Sequence, residues 1–347
     1  MQPPRTRRFG LNAAVAAALF CLAGRSGLAQ GVADFYRGSN VRLIISSGPG
    51  GGYDTYSRTL ARHIGQHIPG RPSIVTQNMP GAGSLVAINY VYNVAARDGS
   101  VFADSDSTMP LYTLFEGQNS KFDPFRLNWL GSVGKQIGVC VARSRSEFKT
   151  LDDVMKRPMR VSGTGAQSWR TTIPRLYNLT AGTKFEVITG YGTTEAFLAL
   201  ERGEVEGTCV DYNTLEATRL DWLRDRKVTF IAQYGLEPVL GLQGVPLGLD
   251  WVKDAVDRRA MELILSQQLA GRPYLMPPDV SPDRLAALRA AFDATMKDQA
   301  FLEDAKKSRL LVDPMTSEQM EALFRRAYAF PSAIIERAKE LLKRVGK

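Results

Sequence analysis

Residues 43–54 read LIISSGPGGGYD, and the architecture of the chain can be worked out from this stretch. An apolar run ends in a glycine-rich turn, and a helical pattern follows from about Thr55 to Gln66. The order is therefore strand, loop and helix, and the loop has too few side chains to cover its own backbone. Exposed N–H groups at the start of a helix form a site for a carboxylate or a phosphate. The stretch predicts an anion-binding turn at the carboxyl end of a strand.

The spacing of this turn argues against a nucleotide as the anion. A P-loop needs a lysine and a hydroxyl residue after its last glycine, but Tyr53 and Asp54 stand there. The dinucleotide motif, counted from Gly48 and Gly50, needs a third glycine where Tyr53 stands. Residues 43–57 contain no lysine or arginine to balance a polyphosphate. The turn therefore predicts a site for a smaller anion.

The first 29 residues have the order of a secretory signal peptide. Arg5, Arg7 and Arg8 form a basic segment, residues 11–23 are apolar except for Asn12, and Gly27-Leu28-Ala29 matches a small-x-small cleavage site. We expect cleavage after Ala29 and a periplasmic location. Arg7-Arg8 leaves a twin-arginine signal open, but Phe9-Gly10-Leu11 matches that signal only in part, which favours export by the Sec route. The segment holds four arginines and no acidic residue, so its removal lowers the net charge from +9 to +5. The remaining charges are dispersed, which argues against nucleic acid as a partner.

Two cysteines remain after this cleavage, Cys140 and Cys209, and both lie in strand-like runs. An exported pair can form a disulfide. Buried free thiols are the interpretation that the sequence favours, because cysteine is often a simple core residue.

Strand-like and helical segments alternate along most of the chain. This order predicts an α/β fold of parallel sheets with helices on their faces. Three further glycine-containing turns follow predicted strands, at residues 80–84, 163–166 and 190–194. Capping sequences predict helices that begin after Thr150, Ser281 and Thr316.

The predicted elements form two similar blocks, and the second begins near Lys135. Ligands of open α/β sheets bind outside the carboxyl ends of the strands. If the two blocks face each other, their polar turns line one cleft, which is the geometry of a hinged two-lobe binding protein.

Six motifs follow the predicted signal peptide: PGGGYD at 49–54, QNMPGAGS at 77–84, ARDGS at 96–100, SGTG at 162–165, GYG at 190–192 and ALERGEVEG at 199–207. With these motifs the chain resembles the extracytoplasmic solute receptors of the tripartite tricarboxylate transporter family. The resemblance covers most of the chain after residue 29, and its first two motifs are the most specific.

The resemblance implies a two-lobe periplasmic-binding-protein (Venus flytrap) fold, type II-like, with two crossovers at the hinge. We expect lobe 1 to hold residues 30–134 and 263–347, and lobe 2 to hold residues 135–262. The implied function is capture of a small carboxylated organic solute in the interlobe cleft. The implied partner is a two-component membrane permease, contacted transiently, and the receptor is expected to be a monomer without cofactor, metal or enzymatic activity.

The resemblance also implies which residues bind the solute. In lobe 1 these are Ser47, Gly50, Gly51, Gly52, Tyr53, Asp54, Gly81, Ala82, Gly83, Ser84, Ser105 and Ser107. In lobe 2 they are Ser162, Gly163, Thr164, Gly165, Tyr191, Thr193, Thr194 and Asp211. For Asp54, a purely structural role as the N-cap of its helix is as well supported as contact with the solute. Asp211 is expected on the hinge side of the cleft.

The sequence departs from the family pattern after Gly165, where a helix start with Trp169 and Arg170 replaces the usual His-Leu type. These two residues could enlarge or recharge the pocket. For Arg170 a solvated helix position is favoured, because arginine is mostly exposed.

Two other functions compete with that of a transport receptor. An exported hydrolase would need a nucleophile near a histidine, but the two histidines, His63 and His67, share one predicted helix face. Their spacing lacks the glutamate of the HExxH zinc motif and a third ligand. A sensory receptor that presents its closed form to a membrane kinase remains open, because sequence does not separate sensing from transport.

Overall fold

The computed structural model describes residues 31–116, 121–166, 168–238 and 241–346. The predicted signal peptide lies outside these residues. Within them, no helix combines the length and apolarity needed to cross a membrane.

The described strands fall into two sheets, in agreement with the predicted α/β class. The first sheet has the order β11-β4-β10-β3-β1-β2 and the second has the order β7-β6-β8-β5-β9. Their bounds are β1 Asn40–Ile45, β2 Ser73–Asn78, β3 Val101–Asp104, β4 Asn128–Ser132, β5 Gly138–Arg143, β6 Met159–Ser162, β7 Phe185–Ile188, β8 Gly207–Asp211, β9 Val228–Tyr234, β10 Pro273–Met276 and β11 Met315–Thr316.

The prediction of parallel sheets holds for only part of each sheet. β1 pairs in parallel with β2 and β3, and β6 pairs in parallel with β7 and β8. β10 and β5 run antiparallel to both of their neighbours, and β11 runs antiparallel to β4. β5 is the strand by which the chain enters the second sheet, and β10 is the strand by which it returns. These two strands are inserted between neighbours without a βαβ crossover, and such a crossover is what makes neighbouring strands parallel.

The α-helices cover these sheets. Their bounds are α1 Gly52–Ile64, α2 Leu85–Asn93, α3 Tyr112–Glu116, α4 Leu151–Lys156, α5 Trp169–Ala181, α6 Thr193–Arg202, α7 Tyr212–Thr218, α8 Leu220–Arg224, α9 Ala255–Leu265, α10 Pro282–Thr295, α11 Gln299–Lys307, α12 Ser317–Tyr328 and α13 Ser332–Val345. Single 3₁₀ turns lie at Ala82–Ser84, Met109–Leu111, Gly248–Trp251 and Ser266–Ala270.

Local signals in the sequence place several of these helices. Thr150 and Thr316 form capping boxes with the residue three positions on, which confirms the predicted starts of α4 and α12. Pro282 opens α10 as predicted. The apolar stripe of α10 packs against β4 and α1, with Leu288 and Phe292 in one core cluster with Leu130 and Leu60.

The last helix joins the two halves of the molecule. α13 packs against α9 and against α5, and Arg175 of α5 donates a hydrogen bond to the carbonyl of Val345 at 2.7 Å. Ile173 and Leu341 share one core cluster. The lobe boundaries given above remain a prediction, and α13 has extensive contacts with a helix of the predicted lobe 2.

The preference for free thiols is wrong, because the structure bonds Cys140 to Cys209. The two residues are directly opposite in the antiparallel pairing of β5 and β8, with their Cα atoms 4.0 Å apart. The sequence showed that both lie in strands, but it did not show which strands would pair.

Candidate functional site

A cavity of about 240 Å³ lies between the carboxyl ends of strands from both sheets. Eleven of the predicted binding residues line it: Ser47, Gly52, Tyr53, Gly81, Ala82, Gly83, Ser84, Thr164, Gly165, Tyr191 and Thr193. Eight lining residues were not among the predicted binding residues, although Trp169 and Arg170 were expected to affect the pocket: Ser46, Gly48, Pro80, Asp106, Ser168, Trp169, Arg170 and Gly192. The structure therefore brings all four glycine-containing turns to one place, while their binding role stays a prediction.

Four helices begin at this cavity, and none of them has a side-chain cap. They are α1 after Gly51, α2 after Ser84, α5 after Ser168 and α6 after Gly192. The first N–H groups of a helix have no partner within it, and the helix dipole places positive potential there. Residues of each helix start line the cavity, so four such ends surround one small volume, although the Leu85 N–H of α2 already donates to the Ala82 carbonyl in the 3₁₀ turn before it. This arrangement favours an anion.

The turn at residues 80–84 is held in an unusual backbone conformation. Gly81, Ala82, Gly83 and Ser84 all have positive φ, at 148°, 46°, 63° and 81°. Ala82 and Ser84 carry side chains that disfavour this region, and such local strain is concentrated at functional sites. The Ser84 hydroxyl donates to Ser46 Oγ at 2.8 Å and fixes the turn against the end of β1.

The turns of the two sheets touch across the cavity. A Cβ atom on Gly51 would lie 3.1 Å from Thr193 Oγ1, and one on Gly50 would lie 3.3 Å from Thr194 Oγ1. A Cβ atom on Gly165 would lie 3.0 Å from the backbone nitrogen of Gly83. Gly50, Gly51 and Thr194 thus form the contact between the halves rather than the cavity wall. These small residues allow the two sheets to close on the space between them.

The expectation that Arg170 is solvated is wrong. It is only 9% exposed, lines the cavity, and donates from Nη1 to Thr193 Oγ1 at 3.0 Å. Burial is the main influence on its guanidinium and lowers the pKa of Arg170 to about 10. A cation in the first turn of a helix also opposes the dipole. A charge kept in this place at such cost indicates a role in the site.

Asp106 is the acidic residue in the cavity lining, and it was not predicted from the sequence. The residue is 5% exposed, and its Oδ1 accepts hydrogen bonds from the backbone nitrogen and hydroxyl of Thr108 at 3.0 and 2.8 Å. Its own N–H donates to Ser84 Oγ at 3.0 Å. Burial raises the pKa of Asp106, although the bonds from Thr108 act against this. Its position after Ser105, one of the predicted residues, was the available signal.

Asp54 is neither a cap nor part of the cavity lining. Its carboxylate accepts from the Gly50 nitrogen at 2.9 Å, from Arg58 Nε at 2.9 Å and from Asn78 Nδ2 at 2.9 Å. The N-cap of α1 is Gly51. Burial opposes ionisation, but the hydrogen bonds from Arg58, Asn78 and Gly50 prevail and lower the pKa of Asp54. Asp54 thus holds the glycine turn in place.

Asp211 is a structural residue at the border of the two sheets. Its carboxylate accepts from Arg272 Nη2 at 2.7 Å, from the Ile137 nitrogen at 2.9 Å and from the Thr214 nitrogen at 3.0 Å. Arg272 and Asp211 are each 1% exposed. The Arg272 guanidinium also lies 4.5 Å from the ring centre of Tyr53. This buried pair links the return strand β10 to β8 and to the wall of the cavity.

Asp104, at the end of β3, accepts hydrogen bonds that help to hold the end of β1 in place beside the cavity. It accepts from the Ser46 nitrogen at 2.6 Å and from Ser57 Oγ at 2.5 Å. Burial is the largest influence and raises the pKa of Asp104 to about 6, although both hydrogen bonds oppose the rise.

The other predicted residues lie just outside the lining. The Ser107 nitrogen donates to Tyr53 Oη at 3.0 Å, and its hydroxyl donates to Gln136 Oε1 at 2.7 Å. Ser105 is fully buried, and its hydroxyl donates to the Asp106 carbonyl at 3.3 Å. Ser162 ends β6 and Gly163 follows it, directly before Thr164 and Gly165 of the turn that lines the cavity. These residues shape the site from behind its surface.

The histidines do not form a metal site with the other described residues. His63 of α1 pairs with Asp304 of α11 at 2.8 Å, and His67, which lies beyond the end of α1, pairs with Asp298 at the N-cap of α11 at 2.6 Å. No cluster of three or more metal-ligating side chains occurs in the part of the chain that the structure describes.

No protein-family model matches the chain. A curated relative, "UPF0065 protein in gbd 5'region" from Cupriavidus necator, is 29% identical over 206 residues. The alignment covers 57% of this chain and 62% of the relative, so it spans less than two thirds of the relative's length.

Solved structures match over nearly the whole described fold. The periplasmic binding protein BugD aligns with a TM-score of 0.69 and 18% identity, over 90% of this chain and 99% of its own. MatC from Rhodopseudomonas palustris, solved with bound malate, aligns with a TM-score of 0.67 and 18% identity, over 88% and 99%. A second R. palustris protein, solved with adipate, aligns with a TM-score of 0.67 and 14% identity, over 89% and 97%.

These likenesses confirm the predicted periplasmic-binding-protein fold. They also confirm the resemblance that the sequence motifs predicted, and the curated relative supports it independently of the fold. In sequence motifs and in fold, the chain resembles the extracytoplasmic solute receptors of the tripartite tricarboxylate transporter family.

Proposed function

We propose that this chain is a periplasmic receptor that captures a small carboxylate-containing solute and delivers it unchanged to a tripartite tricarboxylate-type secondary transporter. The observation that carries the proposal is the convergence of four uncapped helix starts on one cavity of about 240 Å³. Their backbone N–H groups would bind a carboxylate, and Arg170 would add a charge-assisted hydrogen bond.

The neighbours support the same chemistry, since two of them were solved with the dicarboxylates malate and adipate. Binding without catalysis is supported by the placement of the histidines. Both histidines of the chain pair with aspartates of α11 or of its N-cap, so neither is available as a general base in the cavity.

The mechanism that we propose is closure of the two lobes about the solute. The glycine turns meet Thr193, Thr194 and Gly83 across the cavity, so the site is complete only when the halves approach each other. A solute that contacts both halves stabilises this arrangement by its differential affinity for it.

Calorimetry and thermal-shift measurements on the purified protein test the proposal. Malate, succinate and adipate are compared with their diamides, which match them in size but carry no charge. We expect at least one dicarboxylate to raise the melting temperature in proportion to its affinity, and the diamides to have no effect. Equal effects of acids and diamides, or no effect of either across mono-, di- and tricarboxylates, would refute carboxylate capture.

Delivery needs a separate measurement. Uptake of the labelled solute is compared in cells that produce the protein and in cells that lack it. We expect uptake at micromolar solute to require the receptor and to require an ion gradient. Unchanged uptake without the receptor would refute delivery while leaving capture intact.

A further inference from the structure

The cavity contains two buried side chains of opposite charge that do not pair with each other. Asp106 follows β3 in the first half, and Arg170 opens α5 in the second half. Each is at least nine-tenths buried, and each affects the pKa of the other. No ion pair joins them, although both line the same cavity. A buried charge without its partner is costly, so both groups are left to be satisfied by what the cavity holds.

The Asp106 carboxylate has one oxygen committed and one free. Oδ1 accepts both hydrogen bonds from Thr108, and Oδ2 has no partner among the described residues. The backbone of Asp106 is fixed by its bond to Ser84, within the strained turn that lines the cavity. The free oxygen is an acceptor only, because an ionised carboxylate has no proton to donate. A bare carboxylate or a methylene placed against it would leave it unsatisfied.

We infer that the solute carries a hydrogen-bond donor, an ammonium or a hydroxyl group, that binds Asp106 while its carboxylate binds the helix starts and Arg170. This inference rests on the proposed function and narrows it from carboxylates in general to amino and hydroxy carboxylates. Discrimination follows from the free acceptor, because a site built to bind a donor rejects the analogue that lacks it. The negative charge of Asp106 also repels a solute that presents a second carboxylate at that position.

Matched solutes separate this inference from the proposed function. Succinate, malate and aspartate share one carbon skeleton and differ only in a hydrogen, hydroxyl or ammonium substituent, and glutarate, 2-hydroxyglutarate and glutamate repeat the series with one more methylene. We expect the best donor-bearing solute to bind the wild-type protein at least about tenfold more tightly than its unsubstituted analogue, the lower limit for a hydrogen bond to a charged group. The measurement is the dissociation constant from isothermal titration calorimetry.

Asp106→Asn and Asp106→Ser then test the residue itself. We expect the preference for the donor-bearing solute to fall below about threefold in both variants, while the unsubstituted acid binds as well as before or better. Asp283→Asn, an exposed aspartate in the first turn of α10, is the matched control and should keep the wild-type preference.

Each outcome has one meaning. The inference would be overturned if the unsubstituted acids bind the wild-type protein with dissociation constants within threefold of those of their substituted analogues. It would also be overturned if the preference for the donor-bearing solute survives in both Asp106 variants. Either result would leave carboxylate capture standing. Failure of every acid in both series, together with the wider panel above, would refute the proposed function and this inference with it. The comparison on the wild-type protein does not depend on whether the variants fold.

Discussion

Replacement of Arg170 by glutamine separates two effects of its buried charge. One is the loss of folding stability in the protein without solute, and the other is the contribution of the charge to carboxylate binding. The guanidinium lines the cavity, is 9% exposed, and has Thr193 as its hydrogen-bond partner among the described residues. Glutamine keeps a donor of similar reach and removes the charge. Binding and stability should therefore respond in opposite directions, which a purely structural arginine would not produce.

The magnitudes follow from the burial of the guanidinium. Because burial lowers the pKa of Arg170 to about 10, its charged form costs roughly 3 kcal/mol in the empty protein at neutral pH, at 1.36 kcal/mol for each pKa unit. This sets an upper limit on the gain in free energy of unfolding for Arg170→Gln. In the complex, loss of a hydrogen bond between charged groups costs about 1.5–3 kcal/mol, which raises the dissociation constant roughly 10- to 150-fold.

Two assays on the same preparations check both effects. Urea unfolding without solute should show the variant at least as stable as wild type, and calorimetry should show weaker carboxylate binding. Arg175→Gln, five residues further along α5 and bonded to the Val345 carbonyl, is the control and should leave affinity unchanged. The reasoning is refuted if Arg170→Gln binds carboxylates as tightly as wild type, or if it loses more than about 1 kcal/mol of stability without solute.

Three further predictions concern closure, pH and the buried ion pair. Gly52→Ala places a methyl group against Thr214 Oγ1 of the other half, so we expect a larger radius of gyration with solute by small-angle scattering and at least tenfold weaker binding; wild-type scattering would contradict this. The native protein holds the Asp104 proton up to about pH 6, whereas the unfolded chain loses it near pH 4. The free energy of unfolding therefore falls by up to about 3 kcal/mol as pH rises through this window, and urea titrations should show that Asp104→Asn lacks this part of the slope. Asp211→Asn leaves the Arg272 charge buried without its anion and should cost about 3–5 kcal/mol in urea unfolding, and a loss below 1 kcal/mol would argue against a buried pair.

Much of the fold could be predicted because its signals are local. A glycine turn leads from β1 into a helix as expected, although α1 begins at Gly52 rather than near Thr55, and the capping boxes at Thr150 and Thr316 begin their helices where predicted. Strand pairing could not be predicted in the same way. β10 and β5 enter their sheets between strands that are distant in sequence, and the link between Cys140 and Cys209 depends on that pairing. These relations are set by tertiary packing, which periodicity in one segment does not report.

The candidate site was also predicted only in part from the sequence, and the residues that were not predicted correctly are informative. The glycine turns could be predicted because they need residues that are small and conformationally free. Arg170 was misassigned because a buried cation at a helix N-terminus breaks both the burial preference and the dipole rule, and Asp106 was missed because a lone aspartate in a polar loop has the ordinary sequence signature of a turn. Both residues are costly to the empty protein, since each carries a buried charge without a charged partner in contact. A solute that supplies a carboxylate to one and a donor to the other recovers that cost only when both halves close on it. Closure and selectivity would then have one physical origin, the two buried charges on opposite sides of the cavity.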